Sequence, residues 1–86
     1  MSINVDNVRR RKASVRYEIE SAEDFGRAIG EFRALRQLSQ ADLAEAVGIH
    51  RSYLSEFESG QVTDALRRLV ALAARLDLTI ELRTKS

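Results

Sequence analysis

The sequence predicts a mainly α-helical single domain, four to five short helices packed as one compact body and closed by a C-terminal β-strand. Three observations lead there. Apolar residues recur at helical spacing over several stretches between Phe25 and Leu76. Residues that suit helix ends bracket those stretches: Ser21, Ser39 and Thr63 or Asp64 at the starts, Gly48 and Gly60 at the ends. The period then changes from helical to two, with Leu78, Ile80 and Leu82 alternating with Thr79, Glu81 and Arg83. A chain of 86 residues with 44% hydrophobic content supports one small core.

The elements follow in order. Val15, Tyr17 and Ile19 alternate with Arg16, Glu18 and Glu20, a short strand pattern. Ser21 and Asp24 have the spacing of a capping box, and Glu23 and Asp24 suit the positive end of a helix dipole. A first helix is expected over Ala22–Gln37, with Phe25, Ile29, Phe32 and Leu35 or Arg36 on its apolar side. Gly26 and Gly30 each weaken that helix by roughly 1 kcal/mol relative to alanine. They lie on one face, where the missing side chains admit another helix or backbone. Second, third and fourth helices are expected over Gln40–Val47, Arg51–Glu58 and Asp64–Arg75. The fourth carries Ala65, Leu66, Leu69, Val70, Leu72 and Ala73, with Leu76 just beyond, an apolar stripe wider than a small monomer needs. A lone C-terminal strand cannot satisfy its backbone groups. It must pair with the N-terminal strand or with the same strand of a second chain, and the wide stripe favours the second option. A two-fold homodimer is therefore expected, through Leu69, Leu72, Leu76, Leu78, Ile80 and Leu82. This divides the chain into a flexible basic arm (1–14), a helical domain (15–76) and a dimerisation strand with its tail (77–86).

Composition narrows the function. There is no cysteine, which removes disulfides, thiol chemistry and cysteine-based zinc sites. His50 is the only histidine, so no histidine metal set exists. No nucleophile–base pair or phosphate loop is legible, and neither an enzyme nor a cofactor or metal is expected. The apolar runs are too short to span a bilayer, and the first residues lack the order of a signal peptide. A soluble cytoplasmic protein is the expectation. Net charge is only +1, so global charge is no argument for nucleic-acid binding; the block Arg9, Arg10, Arg11 and Lys12 is the local exception.

The segment Gln40–Phe57 carries the chemistry. Two short helical patterns meet at Gly48, where a tight turn favours a residue tolerant of positive φ. Ala44 leaves room at the junction, and Leu43, Val47, Leu54 and Phe57 are placed to wedge the pair on the core, with Ile49 also of buried type. This is the order of a helix-turn-helix, whose second helix is held outward to enter a DNA groove. With Leu54 pointing inward, Ser52, Ser55, Glu56 and Ser59 point away, and Arg51 reaches outward from the helix start. Arg51 can donate two hydrogen bonds to guanine O6 and N7, against the alternative of a solvated arginine. Ser52 and Ser55 can approach a base or a phosphate, or simply face solvent. Glu56 can accept from cytosine N4, repel wrong registers, or stay solvated. Gln40 opens the second helix, where free backbone N–H groups suit phosphate, and its amide can brace the start of the third. His50 caps the third helix or touches phosphate. Tyr53 packs, or offers its hydroxyl to phosphate. Arg9 to Lys12 add salt-dependent affinity as an arm in a groove, or remain a solvated tail.

With these residues in place, the chain resembles the lambda-repressor-like regulators of Cro/C1 or xenobiotic-response-element type, over about Phe25 to Leu76. The resemblance rests on Leu38-Ser-Gln-Ala-Asp-Leu-Ala-Glu-Ala-Val-Gly48 followed by Tyr53-Leu-Ser-Glu-Phe-Glu-Ser-Gly60. It implies a phosphate contact by Gln40 and a base-facing role for Arg51, Ser52 and Glu56. Leu76-Asp-Leu-Thr-Ile-Glu-Leu82, with the capped first helix and the short Gln61-Val62 linker, is similar to the HipB-type antitoxins. That similarity implies dimers paired through C-terminal strands, autorepression of a type II toxin–antitoxin operon, and a HipA-like Ser/Thr kinase toxin as partner. The basic stretch before Ser21 is longer than that group leads one to expect, and little chain follows the strand. The expected function is thus a bacterial repressor on a palindromic duplex operator, located on the nucleoid when bound. The alternatives are a stand-alone or phage-type repressor, and a protein-interaction adaptor on the same fold.

Overall fold

A computed structural model describes residues 14–85. The basic block Arg9–Lys12, and the proposed arm apart from Ser14, lie outside the described residues. Within them the order is β1 (Arg16–Ile19), α1 (Ala22–Leu35), α2 (Gln40–Val47), α3 (Arg51–Glu58), α4 (Asp64–Arg75) and β2 (Ile80–Arg83). The fold is mainly helical, with four helices and one small antiparallel sheet.

The helix starts are set by side chains. The Asp24 carboxylate accepts from the backbone N–H groups of Ser21 at 3.1 Å and Glu20 at 2.9 Å. Those bonds hold its pKa below the ordinary carboxylate value. Ser39 Oγ accepts from the Asp42 N–H at 2.9 Å while Asp42 accepts from the Ser39 N–H at 3.3 Å, a complete capping box. Thr63 Oγ1 accepts from the Leu66 N–H at 3.2 Å.

The helix ends share one geometry. Leu38, Gln61 and Leu78 donate backbone N–H groups back to Arg33, Glu56 and Ala73, and the residue before each donor has positive φ. At α3 that residue is Gly60; at α1 and α4 it is Gln37 (φ 59°) and Asp77 (φ 58°). This closure stops α1 at Leu35, two residues before the expected Gln37. Gly48 ends α2 with φ 85°, as the turn requires.

The partner of the C-terminal strand is inside the chain. β1 and β2 pair antiparallel, with Ile19 opposite Ile80 and Tyr17 opposite Leu82. This corrects the preference for a second chain as that strand's partner. The two alternating patterns bring their apolar residues to one face, so the local pairing is satisfied without another molecule. One edge of β2 is left without a strand among the described residues. The buried core consists of Ile19, Ala22, Ala28, Ala44, Leu54 and Val70. Several leucines remain outside it.

Candidate nucleic-acid interface

The helix pair is seated by small residues. Ala44 is buried at the junction of α2 and α3, and Leu54 is buried on the inner side of α3. Gly26 of α1 lies directly against the α3 backbone: a Cβ built there would stand 1.7 Å from the Phe57 carbonyl oxygen. A Cβ on Gly30 would come 3.1 Å from a Glu58 carboxylate oxygen. The face shared by these glycines is therefore the seat of the third helix. Val47 and Ile49 differ from expectation, since both are exposed. Ala44 and Leu54 are buried there and Leu43 is half-buried, while Val47, one turn on from Leu43, is exposed.

A polar network locks the far end of α3. Arg33 of α1 donates to both Glu58 oxygens, from Nε and from Nη2 at 2.8 Å each, and from Nη1 to the Leu38 carbonyl at 2.7 Å. Gln40 Nε2 donates to Glu58 Oε1 at 3.0 Å. The Glu58 side chain is only 9% exposed. Its carboxyl is held below the ordinary value, first by the Arg33 hydrogen bonds and further by Gln40, against the opposing effect of burial. Three helices thus meet on one carboxylate. Gln40 braces the end of α3 and not its start, because Glu58 lies over the first turn of α2. Among the described residues, its second amide hydrogen has no acceptor.

Neither Arg33 nor Glu58 stood out in the sequence as a site residue. One signal was available: an acid in the last position of a helix opposes the helix dipole and calls for a cationic partner.

The remaining expected residues lie on the outer surface of α3 and its entry. Arg51, Ser52, Ser55 and Glu56 are all exposed, as the choice of Leu54 for the inward direction requires. Tyr53 is exposed on the flank. His50 occupies the N-cap position of α3, but its side chain makes no capping hydrogen bond, so the capping role expected of it is not realised. Ser59 Oγ donates back to the Glu56 carbonyl at 2.8 Å. The outward face is short and polar, framed by the N-terminus of α2 with its Gln40.

The helix-turn-helix family (HTH_3) matches residues 29–82, which span α2, the turn, α3, α4 and most of β2. The chain belongs to that family. It is a DNA-binding regulator of Cro/C1 type, in which α2 and α3 form the helix-turn-helix. Comparison with curated proteins and with solved structures returned no match. Among the described residues, no group of histidine, aspartate and glutamate is arranged to hold a metal ion, and no helix is long and apolar enough to cross a membrane.

Proposed function

We propose that this chain is a dimeric, sequence-specific repressor that reads a palindromic duplex operator with α3. The observation that carries this reading is the outer face of α3, where Arg51, Ser52, Ser55 and Glu56 stand exposed on a helix clamped from behind by Gly26 and Glu58. A helix that must enter a major groove needs that combination of a rigid back and a small polar front. Arg51 then donates to guanine O6 and N7, Ser52 and Ser55 approach bases or phosphate, and Glu56 accepts from cytosine or rejects wrong registers. Gln40 offers its free amide hydrogen and the N-terminus of α2 to a phosphate, with His50 and the Tyr53 hydroxyl at the rim of the same contact. Arg9, Arg10, Arg11 and Lys12 add a salt-dependent contact from the 1–14 arm.

Dimerisation places two α3 helices about 34 Å apart in successive major grooves and blocks the promoter between them. Leu69, Leu72, Leu76 and Leu78 support the dimer, being 59–68% exposed along one side of the molecule. The resemblance to HipB-type antitoxins extends the reading to autorepression of a toxin–antitoxin operon and neutralisation of a HipA-like kinase toxin in the cytoplasm. Copurification with the product of the adjacent reading frame tests that extension, and a lone repressor gene would leave the stand-alone repressor in its place.

Selection from a random duplex pool tests the reading of DNA. Wild type should enrich a palindrome, and Arg51→Ala should lose preference at one position per half-site. The cost in specific affinity should be at least ~1 kcal/mol, with the folded state unchanged. Equal operator affinity in both proteins would remove Arg51 from the base contacts. No enrichment by folded wild type would favour the adaptor reading.

A further inference from the structure

The fold leaves a cleft between α4 and the small sheet. Its volume is about 240 Å³, and Ile19, Val70, Ala73, Ala74 and Ile80 line it. Ile19 and Val70 belong to the buried core, so the cleft reaches the core itself. It meets solvent where Ala74, Leu78 and Thr79 are exposed. The gap follows from side-chain size: α4 carries leucine at 69 and 72 and is followed by Leu76, but has alanine at 73 and 74, where it borders the sheet. An apolar void of roughly 150 Å³ already takes a benzene-sized molecule. This cleft has room for such a ring and a short arm.

The charge around it is one-sided. The charged residues of the lining are Glu18 and Glu20, with no lysine, arginine or histidine beside them. Among the described residues, neither carboxylate takes part in an ion pair. Glu18 also stands directly opposite Glu81 across the sheet, and like charges so placed are destabilising. Arg16 reaches Glu81 at 4.0 Å, which leaves Glu18 without a cation of its own there. An ammonium group brought to Glu18 and Glu20 offsets this repulsion through charge-assisted hydrogen bonds, and an anion is rejected. The Thr79 hydroxyl adds a neutral donor and acceptor.

We propose that this cleft binds a small apolar amine, with the hydrocarbon part against Ile19, Val70 and Ile80 and the ammonium donating to Glu18 and Glu20. Such a ligand touches α4 and both strands at once, so its binding ties the helix to the sheet. Leu78 belongs both to the cleft and to the exposed apolar surface assigned to the dimer, which makes a second copy the competing occupant. The leucines of a second copy would leave Glu18 and Glu20 unanswered, whereas an ammonium answers both. Amine binding here does not depend on α3 reading DNA.

Titration of the isotope-labelled full chain with phenethylamine, followed by amide NMR shifts, tests the site. Saturable shifts should fall on Ile19, Val70, Ala73, Ala74 and Leu78 to Ile80, with a Kd of about 1 mM or lower. Phenethyl alcohol has nearly the same shape without the charge and should bind about tenfold more weakly; phenylacetate should not bind. Ala74→Leu fills the cleft from an exposed helical position that leucine suits, and should abolish the shifts. The double change Glu18→Gln and Glu20→Gln alters only exposed residues, so the fold should survive it, and it should reduce the amine to the affinity of the alcohol. No saturable response to the amine overturns the site. Equal affinity for amine and alcohol overturns the class of ligand, and an amine that still binds folded Ala74→Leu is bound elsewhere. Cleft signals that shift on dilution of the free protein and ignore the amine give the cleft to a second copy instead.

Discussion

The corner made by α1, α2 and α3 and the side made by α4 and β2 are built on opposite plans. At the corner the contacts are close and complete: α3 meets α1 backbone at Gly26, Ala44 is buried at the turn, and Glu58 has donors on both oxygens. Along α4 several leucines face away. Leu69, Leu72 and Leu76 are exposed, while Val70 is buried and Ala73 half-buried beneath them. The difference fits the two proposed jobs. The proposed DNA-facing surface is held by its own chain. The other side offers apolar area and a strand edge left uncovered among the described residues.

The sharpest way to break the comparison is at Gly26. Gly26→Ala drives a methyl group into the Phe57 carbonyl, which belongs to backbone and cannot swing aside. We expect a loss of about 3 kcal/mol in urea unfolding, and loss of operator binding with it. An alanine variant of normal stability would mean that α3 is not fixed at this point. Glu58→Ala comes next. It strips Arg33 and Gln40 of their shared acceptor and should cost about 2 kcal/mol. The same residue sets part of the pH response. Its folded pKa lies below the ordinary 4.5, so its contribution is fully present above about that pH and fades as pH falls through the folded value. Glu58→Gln should flatten the acid limb of the stability curve. Asp24 and Glu23, whose values are also lowered by hydrogen bonds, retain the remainder.

Much of this was legible in the sequence. Ser21, Ser39 and Thr63 announce helix starts through the chemistry of free N–H groups, and Gly48 and Gly60 announce ends through positive φ; all five act locally. Gly26 and Gly30 pointed to a close approach because the cost of glycine inside a helix implies a compensating contact. What stayed hidden depends on distance along the chain. Arg33 and Glu58 are 25 residues apart, and nothing at either position names the other. Gln37 and Asp77 close helices where glycine is the usual signal, so the sequence pattern carries α1 two residues past its end at Leu35. Both strands were visible as alternations, but pattern alone does not choose a partner. The choice fell to the register that puts Ile19 with Ile80 and Tyr17 with Leu82.

A milder test sharpens the α4 side. Leu72 is 62% exposed, so Leu72→Glu removes little packing from the single chain. Thermal stability measured at low protein concentration should change by no more than about 0.5 kcal/mol. In a dimer that buries Leu72, a charge introduced there should raise the dissociation constant at least ~10-fold and weaken operator binding accordingly. A variant that loses stability while monomeric would show that Leu72 serves the fold of its own chain.

The smallest expected effect tests whether the two sides are as separate as they look. Gln37 closes α1 at the corner and Asp77 closes α4 just before β2, both in the left-handed region that glycine occupies without steric cost. Replacing either with glycine relieves that strain but adds freedom to the unfolded chain, for a net gain of about 0.5–1 kcal/mol. Asp77→Gly also removes an acid from the negative end of the α4 dipole and should fall at the upper end of the range. The discriminating readout is the pair of binding constants. Gln37→Gly should leave both dimer and operator affinity unchanged. Asp77→Gly should leave operator affinity per dimer unchanged too, because the α3 clamp does not pass through that turn. If relaxing Asp77 alters base preference, the two sides are coupled through α4, and the corner is not the self-sufficient unit that its contacts describe.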